Sequence, residues 1–141
     1  MDLHLNPLEA FQARSSEARG WMAPLMPLLF VHAHGLLERG VCQGAFARDR
    51  QGKETATTLA EACSWSLIGA LYRAAVEVLP PGHNTLQTRF LLIDEAAALL
   101  CETLKLKAAD SLPRFALGAW CDEAGRLPSQ VLGLVASVVT L

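Results

Sequence analysis

Four stretches that read as helix starts divide this 141-residue chain: Asn6-Pro7-Leu8-Glu9, Thr58-Leu59-Ala60-Glu61, Asn84-Thr85-Leu86-Gln87 and Leu127-Pro128-Ser129-Gln130. The first three combine a capping side chain with a Glu or Gln that can reach back to a free backbone amide, and the fourth has Pro128 at the first helical position. The apolar residues that follow recur at three- and four-residue intervals, the spacing of one helix face. Composition agrees. Leucine and alanine together supply a third of the chain, and both are strong helix formers. A sandwich or barrel draws on β-branched and aromatic residues instead. At 52% apolar and a net charge of −2, the chain lacks the polarity and net charge that mark disorder. The expected fold is therefore all-α, a single domain over residues 1–141 with about five helices and one long loop near residues 41–57.

The helices are expected over Pro7–Arg19, from Ala23 or Pro24 to Arg39, over Leu59–Leu79, from Thr85 to about Lys107, and from Pro128 onward. A shorter helical turn is expected between Asp110 and Cys121. Gly20 and Gly40 suit helix ends, and Pro80-Pro81-Gly82 stops the third helix. Within that third helix Ala62, Ser66, Gly69, Ala70 and Ala74 form a stripe of small residues. Gly69 costs about 1 kcal/mol in a helix relative to alanine, and the close approach of another helix would be a reason to accept it. Arg48-Asp49-Arg50-Gln51-Gly52-Lys53 reads as a charged turn, either the tip of a short hairpin or a plain surface loop. The last helix carries Val131, Leu132, Leu134, Val135, Val138 and Val139. It is expected to pack against the third helix or in a dimer contact.

Charge and cysteine usage exclude several chemistries. The 12 basic and 14 acidic residues leave no segment with a basic excess, so no nucleic-acid partner is expected. Cys42, Cys63, Cys101 and Cys121 contain no Cys-x-x-Cys pair, which argues against a zinc ribbon or a thioredoxin-like site. The start Met1-Asp2-Leu3-His4 lacks the basic and apolar regions of a signal peptide. The longest apolar run, Trp21 to Val31, is interrupted by Pro24 and Pro27 and falls well short of the roughly twenty residues of a membrane span. A cytoplasmic protein with free thiols, no membrane partner, no cofactor and no metal is expected.

Three stretches stand out together: Gly40-Val41-Cys42-Gln43-Gly44-Ala45, Cys63-Ser64-Trp65-Ser66-Leu67-Ile68-Gly69-Ala70-Leu71, and Trp120-Cys121-Asp122 followed by Arg126 and Val131. In that order they resemble a family of small bacterial and phage helical proteins known only as a domain of unknown function. The resemblance covers about residues 25 to 141. The family pattern has a Trp-Cys-x-x-Gly-Ala-Leu core helix and a Trp-Asn-Asp motif before the last helix. Here Ser66 replaces the cysteine, Cys121 replaces the asparagine, and Leu127 stands where the family tends to have a capping threonine. Any chemical role shared by those family residues is lost in this chain. The resemblance implies a fold and no activity.

Two sets of residues qualify as sites. Trp120, Asp122 and Arg126 form the most distinctive cluster. They are expected either to lock the turn before the last helix, with Trp120 in the core and Arg126 paired to Asp122, or to anchor a partner, since Trp and Arg are favoured at interface hot spots. Arg50, in the charged turn, is a further interaction candidate. The second set is His32, His34, Cys42 and Asp94. His32 and His34 are two apart and diverge on a helix, while His34 and Glu38 share a face. A metal or acid–base site there needs a third group such as Cys42 or His83. Cys42, between glycines, is the thiol most expected to be exposed, but a nucleophile also needs a base and a lowered pKa. Asp94 is expected to pair with a buried arginine, Arg73 or Arg89. Gly40, Gly44 and Gly52 lack the Gly-Lys-Ser/Thr of a phosphate loop.

The first functional expectation is a non-catalytic interaction or regulatory module, with a phage or bacterial inhibitor that binds a bacterial target protein as one subclass. The rival is a small-ligand binder or hydrolase-like enzyme built on His32, His34, Cys42 and Asp94. Self-association as a homodimer is expected through the last helix and the small-residue stripe.

Overall fold

The computed structural model describes residues 20–106 and 111–139; the helix expected over Pro7–Arg19 lies outside them. Among the described residues there are five helices and one two-stranded sheet. They are α1 (Leu25–Arg39), β1 (Ala47–Arg48), β2 (Ser64–Trp65), α2 (Leu67–Val78), α3 (Leu86–Leu104), α4 (Pro113–Asp122) and α5 (Pro128–Val138), with a 3-10 turn at Pro81–His83. The helices pack compactly around one core, in which Leu29, Leu37, Leu71, Leu92, Leu100 and Leu117 are fully buried.

Most helix ends follow local chemistry. Gly40 closes α1 by donating its amide to Leu37 O. Thr85 caps α3 through Oγ1, which accepts from the Thr88 amide at 3.2 Å. Asn84 is drawn into tertiary bonds instead, donating to Val76 O at 2.8 Å. The helix α3 ends before Lys107 because Lys105 adopts the left-handed conformation (φ 58°), a common way to terminate a helix. Leu127 opens α5, and Gln130 Oε1 accepts its amide at 2.8 Å. The expected turn before Cys121 is a full ten-residue helix, α4, started by Pro113.

The largest departure concerns α2. It begins at Leu67 rather than Leu59, and the Thr58-Leu59-Ala60-Glu61 stretch forms turns. Tertiary pairing overrides the local cap signal. Ser64 and Trp65 run as a strand between two other segments. Trp65 donates its amide to Gly40 O and accepts from the Cys42 amide, both at 3.0 Å. On the other side Cys63 donates to Arg48 O and Ser66 to Phe46 O, in antiparallel register with Ala47 opposite Trp65. The Trp65 ring is fully buried, and its indole N–H donates to Thr57 O at 3.1 Å. A helix through this region would give up all of these bonds. Ser66 supplies the real cap, its Oγ accepting from the Gly69 amide at 3.0 Å.

Gly69 is required by this docking. A Cβ there would lie 1.9 Å from the Phe46 carbonyl oxygen. The close approach is made by the loop backbone ahead of β1, not by another helix. The charged turn is a hairpin tip. Asp49 donates its amide to Lys53 O at 2.8 Å, its Oδ1 accepts from the Gln51 and Lys53 amides at 2.9 Å, and Gly52 takes the positive φ (83°) the turn needs. Finally, α5 packs against α1 and α3 rather than against α2.

Candidate interaction surface

Three of the nine exposed large apolar residues among the described ones, Phe46, Leu86 and Phe115, lie where the loop before β1 meets α2, α3 and α4. Phe46 is held by its backbone: its carbonyl accepts from the Ser66 amide at 3.0 Å. Its side chain is nevertheless 65% exposed. Phe46 and Ile68 separate two hollows. One, of about 250 Å³, is apolar and is bounded also by Thr55, Tyr72, Leu86 and Phe90. The other, of about 330 Å³, is more polar and is bounded also by Glu54, Ser66, Gly118 and Asp122. Glu54 and Thr55 are consecutive residues of an extended segment and so serve opposite hollows.

Around this ridge, Tyr72 and Phe90 lie with ring centroids 5.7 Å apart. The Arg114 guanidinium covers Phe90 at 4.6 Å and Phe115 at 4.9 Å. Phe115 is 60% exposed and Leu86 57%. Three of the chain's five phenylalanines and its only tyrosine therefore belong to one face. Arg114 is held in turn by Asp94, a buried carboxylate on α3. Asp94 pairs with the guanidinium and accepts the Arg114 amide at 3.2 Å, which seats the first turn of α4 on α3. The partner of Asp94 is thus Arg114, not Arg73 or Arg89. Arg73 bonds Glu77 and Thr57 O. Arg89 bonds Asn84 Oδ1 at 2.7 Å and the Tyr72 hydroxyl at 3.1 Å.

The Trp120, Asp122 and Arg126 cluster closes the C-terminal end of α4. The Arg126 guanidinium stacks 3.9 Å from the centroid of the half-buried Trp120 ring. Its Nε donates to Trp120 O at 2.9 Å, and its ion pair is with Glu123 at 2.5 Å rather than with Asp122. Asp122 Oδ1 accepts the Gly44 amide at 3.1 Å, and Gln43 Nε2 donates to Cys121 O at 2.7 Å. The Trp120 and Cys121 carbonyls at the helix end are satisfied this way, and the loop is tied to the helix. Asp122 also borders the polar hollow. Arg50 lies elsewhere, exposed at the hairpin tip beside Arg39, Glu61 and Cys63.

The second predicted set is not brought together. His32 pairs with Glu77 at 2.9 Å. Burial pushes the Glu77 carboxyl up, but hydrogen bonds from Arg73 and His32 outweigh it and hold the group below its ordinary value. His34 pairs with Glu38 at 3.2 Å. Cys42 Sγ donates to Ala45 O at 3.6 Å. Burial pushes its thiol up despite the opposing influence of Ser64 and Arg48, the reverse of what nucleophile activation requires. The His83 ring lies 4.7 Å from that of Trp21. Cys121 borders the polar hollow but is pushed up by burial to about 12. Among the described residues no group of three His, Cys, Asp or Glu is placed to hold a metal ion.

Sequence reasoning missed the aromatic face. Phe90 reads as a core position, yet it is half-buried at a hollow. Phe46 sits in a loop and Phe115 follows Arg114 in a short helix, so neither falls on a long periodic stripe. A usable signal was their very departure from the core pattern.

Fold and face together define a small helical domain that carries a docked hairpin and an exposed aromatic ridge. Residues 26–139 match a family of unknown function, DUF6197, and the chain belongs to that family. No curated protein and no solved structure matches it. Among the described residues no helix is long and apolar enough to cross a membrane.

Proposed function

We propose that this domain is a non-catalytic protein-interaction module, regulatory or adaptor-like, and that its contact face is the ridge of Phe46, Leu86 and Phe115. One observation carries the reading: these three are the most exposed large apolar side chains among the described residues, and they lie around shared aromatic and arginine neighbours. Contiguous apolar patches are uncommon on free monomers and mark contact sites. Aromatic and arginine residues dominate interface energetics. The face is also prebuilt. Phe46 is fixed at its backbone and Arg114 by a buried carboxylate, so little ordering entropy opposes docking. The rival reading, an enzyme built on His32, His34, Cys42 and Asp94, lacks this support because each of those side chains engages a different partner.

The test is site-specific photo-crosslinking in the source cells, with a benzoyl-phenylalanine at position 46 or, as a control, at position 51 on the exposed hairpin tip. The expected result is a discrete protein adduct at position 46 and none at 51. Equal yields at both positions, or no adduct at 46, contradict the assignment of the face.

A further inference from the structure

We propose that the occupant of this face is a second copy of the same chain, docked about a two-fold axis that passes beside Phe46. The inference rests on the interaction reading above and names its partner. It starts from two charges that have no opposite charge paired to them among the described residues. Among the described residues Arg89 hydrogen-bonds neutral groups alone, namely Asn84 Oδ1, Asn84 O and the Tyr72 hydroxyl. Glu54 forms no ion pair among the described residues and borders the polar hollow. These groups belong to opposite sides of the ridge. Arg89 bonds Tyr72, which borders the apolar hollow with Phe46, while Glu54 borders the hollow on the other flank of Phe46.

A two-fold interface is self-complementary: if one residue meets a second across it, the second meets the first again on the far side of the axis. A copy turned about an axis at Phe46 therefore sets Arg89 of each protomer against Glu54 of its partner, twice. The remaining arginine of the face, Arg114, is already neutralised by Asp94. The apolar part fits as well. A cavity of about 150 Å³ accommodates a benzene ring, so the 250 Å³ hollow admits the partner's Phe46 ring. Phe46, Leu86 and Phe115 alone expose roughly 350 Å², a large part of the roughly 800 Å² per partner of a stable interface. The small-residue stripe on α2 plays no part, because Gly69 is already occupied by the Phe46 backbone.

The experiment is sedimentation equilibrium of the purified full chain between about 1 and 100 µM, with four samples: wild type, Phe46→Glu, Arg89→Glu and Glu54→Arg. Circular-dichroism melts establish that each variant is folded. Wild type is expected at twice the 15.2 kDa chain mass. Each variant is expected to raise the dissociation constant at least ten-fold. The decisive sample is an equimolar mixture of Arg89→Glu and Glu54→Arg. In that pair both contacts across the axis join opposite charges again, so a heterodimer forms from two weakly associating proteins. If Arg89→Glu does not fold, wild type and Phe46→Glu still decide the matter. A wild type that stays at the monomer mass through 100 µM overturns the proposal, as does a folded mixture that does not associate. A monomeric wild type with a position-46 adduct to a different protein removes the dimer and leaves the interaction reading standing. Absence of both removes the two together.

Discussion

On the inner side of the segment joining α1 to α2, both backbone groups of Trp65 are paired and its ring is fully buried. On the outer side, Phe46 is paired only at its backbone and leaves most of its ring in solvent. The two aromatic residues are separated by one strand pairing, since Ala47, the residue after Phe46, lies opposite Trp65. Local sequence does not account for the difference. What separates them is which side of a short hairpin faces the core. The inner side buries its apolar surface in the core, and the outer side leaves its apolar surface in solvent, where the proposed contact would use it. Substitutions along the two sides should therefore divide into those that unfold the domain and those that leave it folded but disconnected.

The largest effect is expected at Gly69. Its added Cβ would meet backbone, which cannot swing aside as a flexible side chain can. Gly69→Ala should lose on the order of 4 kcal/mol or fail to fold, as read by urea denaturation; a loss under 1 kcal/mol would break the claim that the hairpin is seated there.

Next comes Asp94→Ala, expected to cost about 2–3 kcal/mol. Removing one partner of a buried ion pair costs more than that when the other is fully enclosed, but the Arg114 side chain keeps 21% of its surface and can be rehydrated. The same substitution should loosen the first turn of α4, measured as faster amide exchange at Arg114. Unchanged exchange there would separate Asp94 from the positioning of the aromatic face.

Cys121 gives a reading of how closed the base of the polar hollow is. With its thiol at about 12 against an ordinary 9.0, the folded protein at pH 8.5 should carry about a thousand-fold less Cys121 thiolate than the unfolded chain. Alkylation of folded Cys121 should rise about ten-fold per pH unit through this range, and the gap to the urea-unfolded rate should narrow above pH 9, where the unfolded thiol is already ionised. Comparable rates in the two states would mean that burial does not govern this thiol. The smallest effect on this side is Ser66→Ala, which removes the α2 cap at a cost of about 1 kcal/mol in the same denaturation assay.

How much of this was legible in the sequence follows the same division. Capping residues, first-turn prolines and helix-terminating glycines act locally, and α1, α3 and α5 lie close to where those signals put them. The start of α2 was not legible. Thr58 through Glu61 carries a plausible cap, and only the pairing of Trp65 with residues far away in sequence rules it out. Asp94 was legible as a carboxylate needing a buried cation, whereas Arg114, twenty residues on, could be selected only by the fold. Trp120 and Arg126 do stack, but the chain turn exchanges Asp122 for Glu123 as the partner of Arg126 and gives Asp122 to the Gly44 amide. The aromatic face escaped because its members come from a loop, the first turn of α3 and a short helix. No single periodicity contains them.

Phe46→Glu tests most directly whether the outer side serves contact rather than folding. Its thermal melt should match wild type to within about 0.5 kcal/mol, while the concentration-dependent gain in mass expected of wild type is lost. A variant that instead unfolds as Gly69→Ala does, or one that stays folded and still associates like wild type, would contradict the claim.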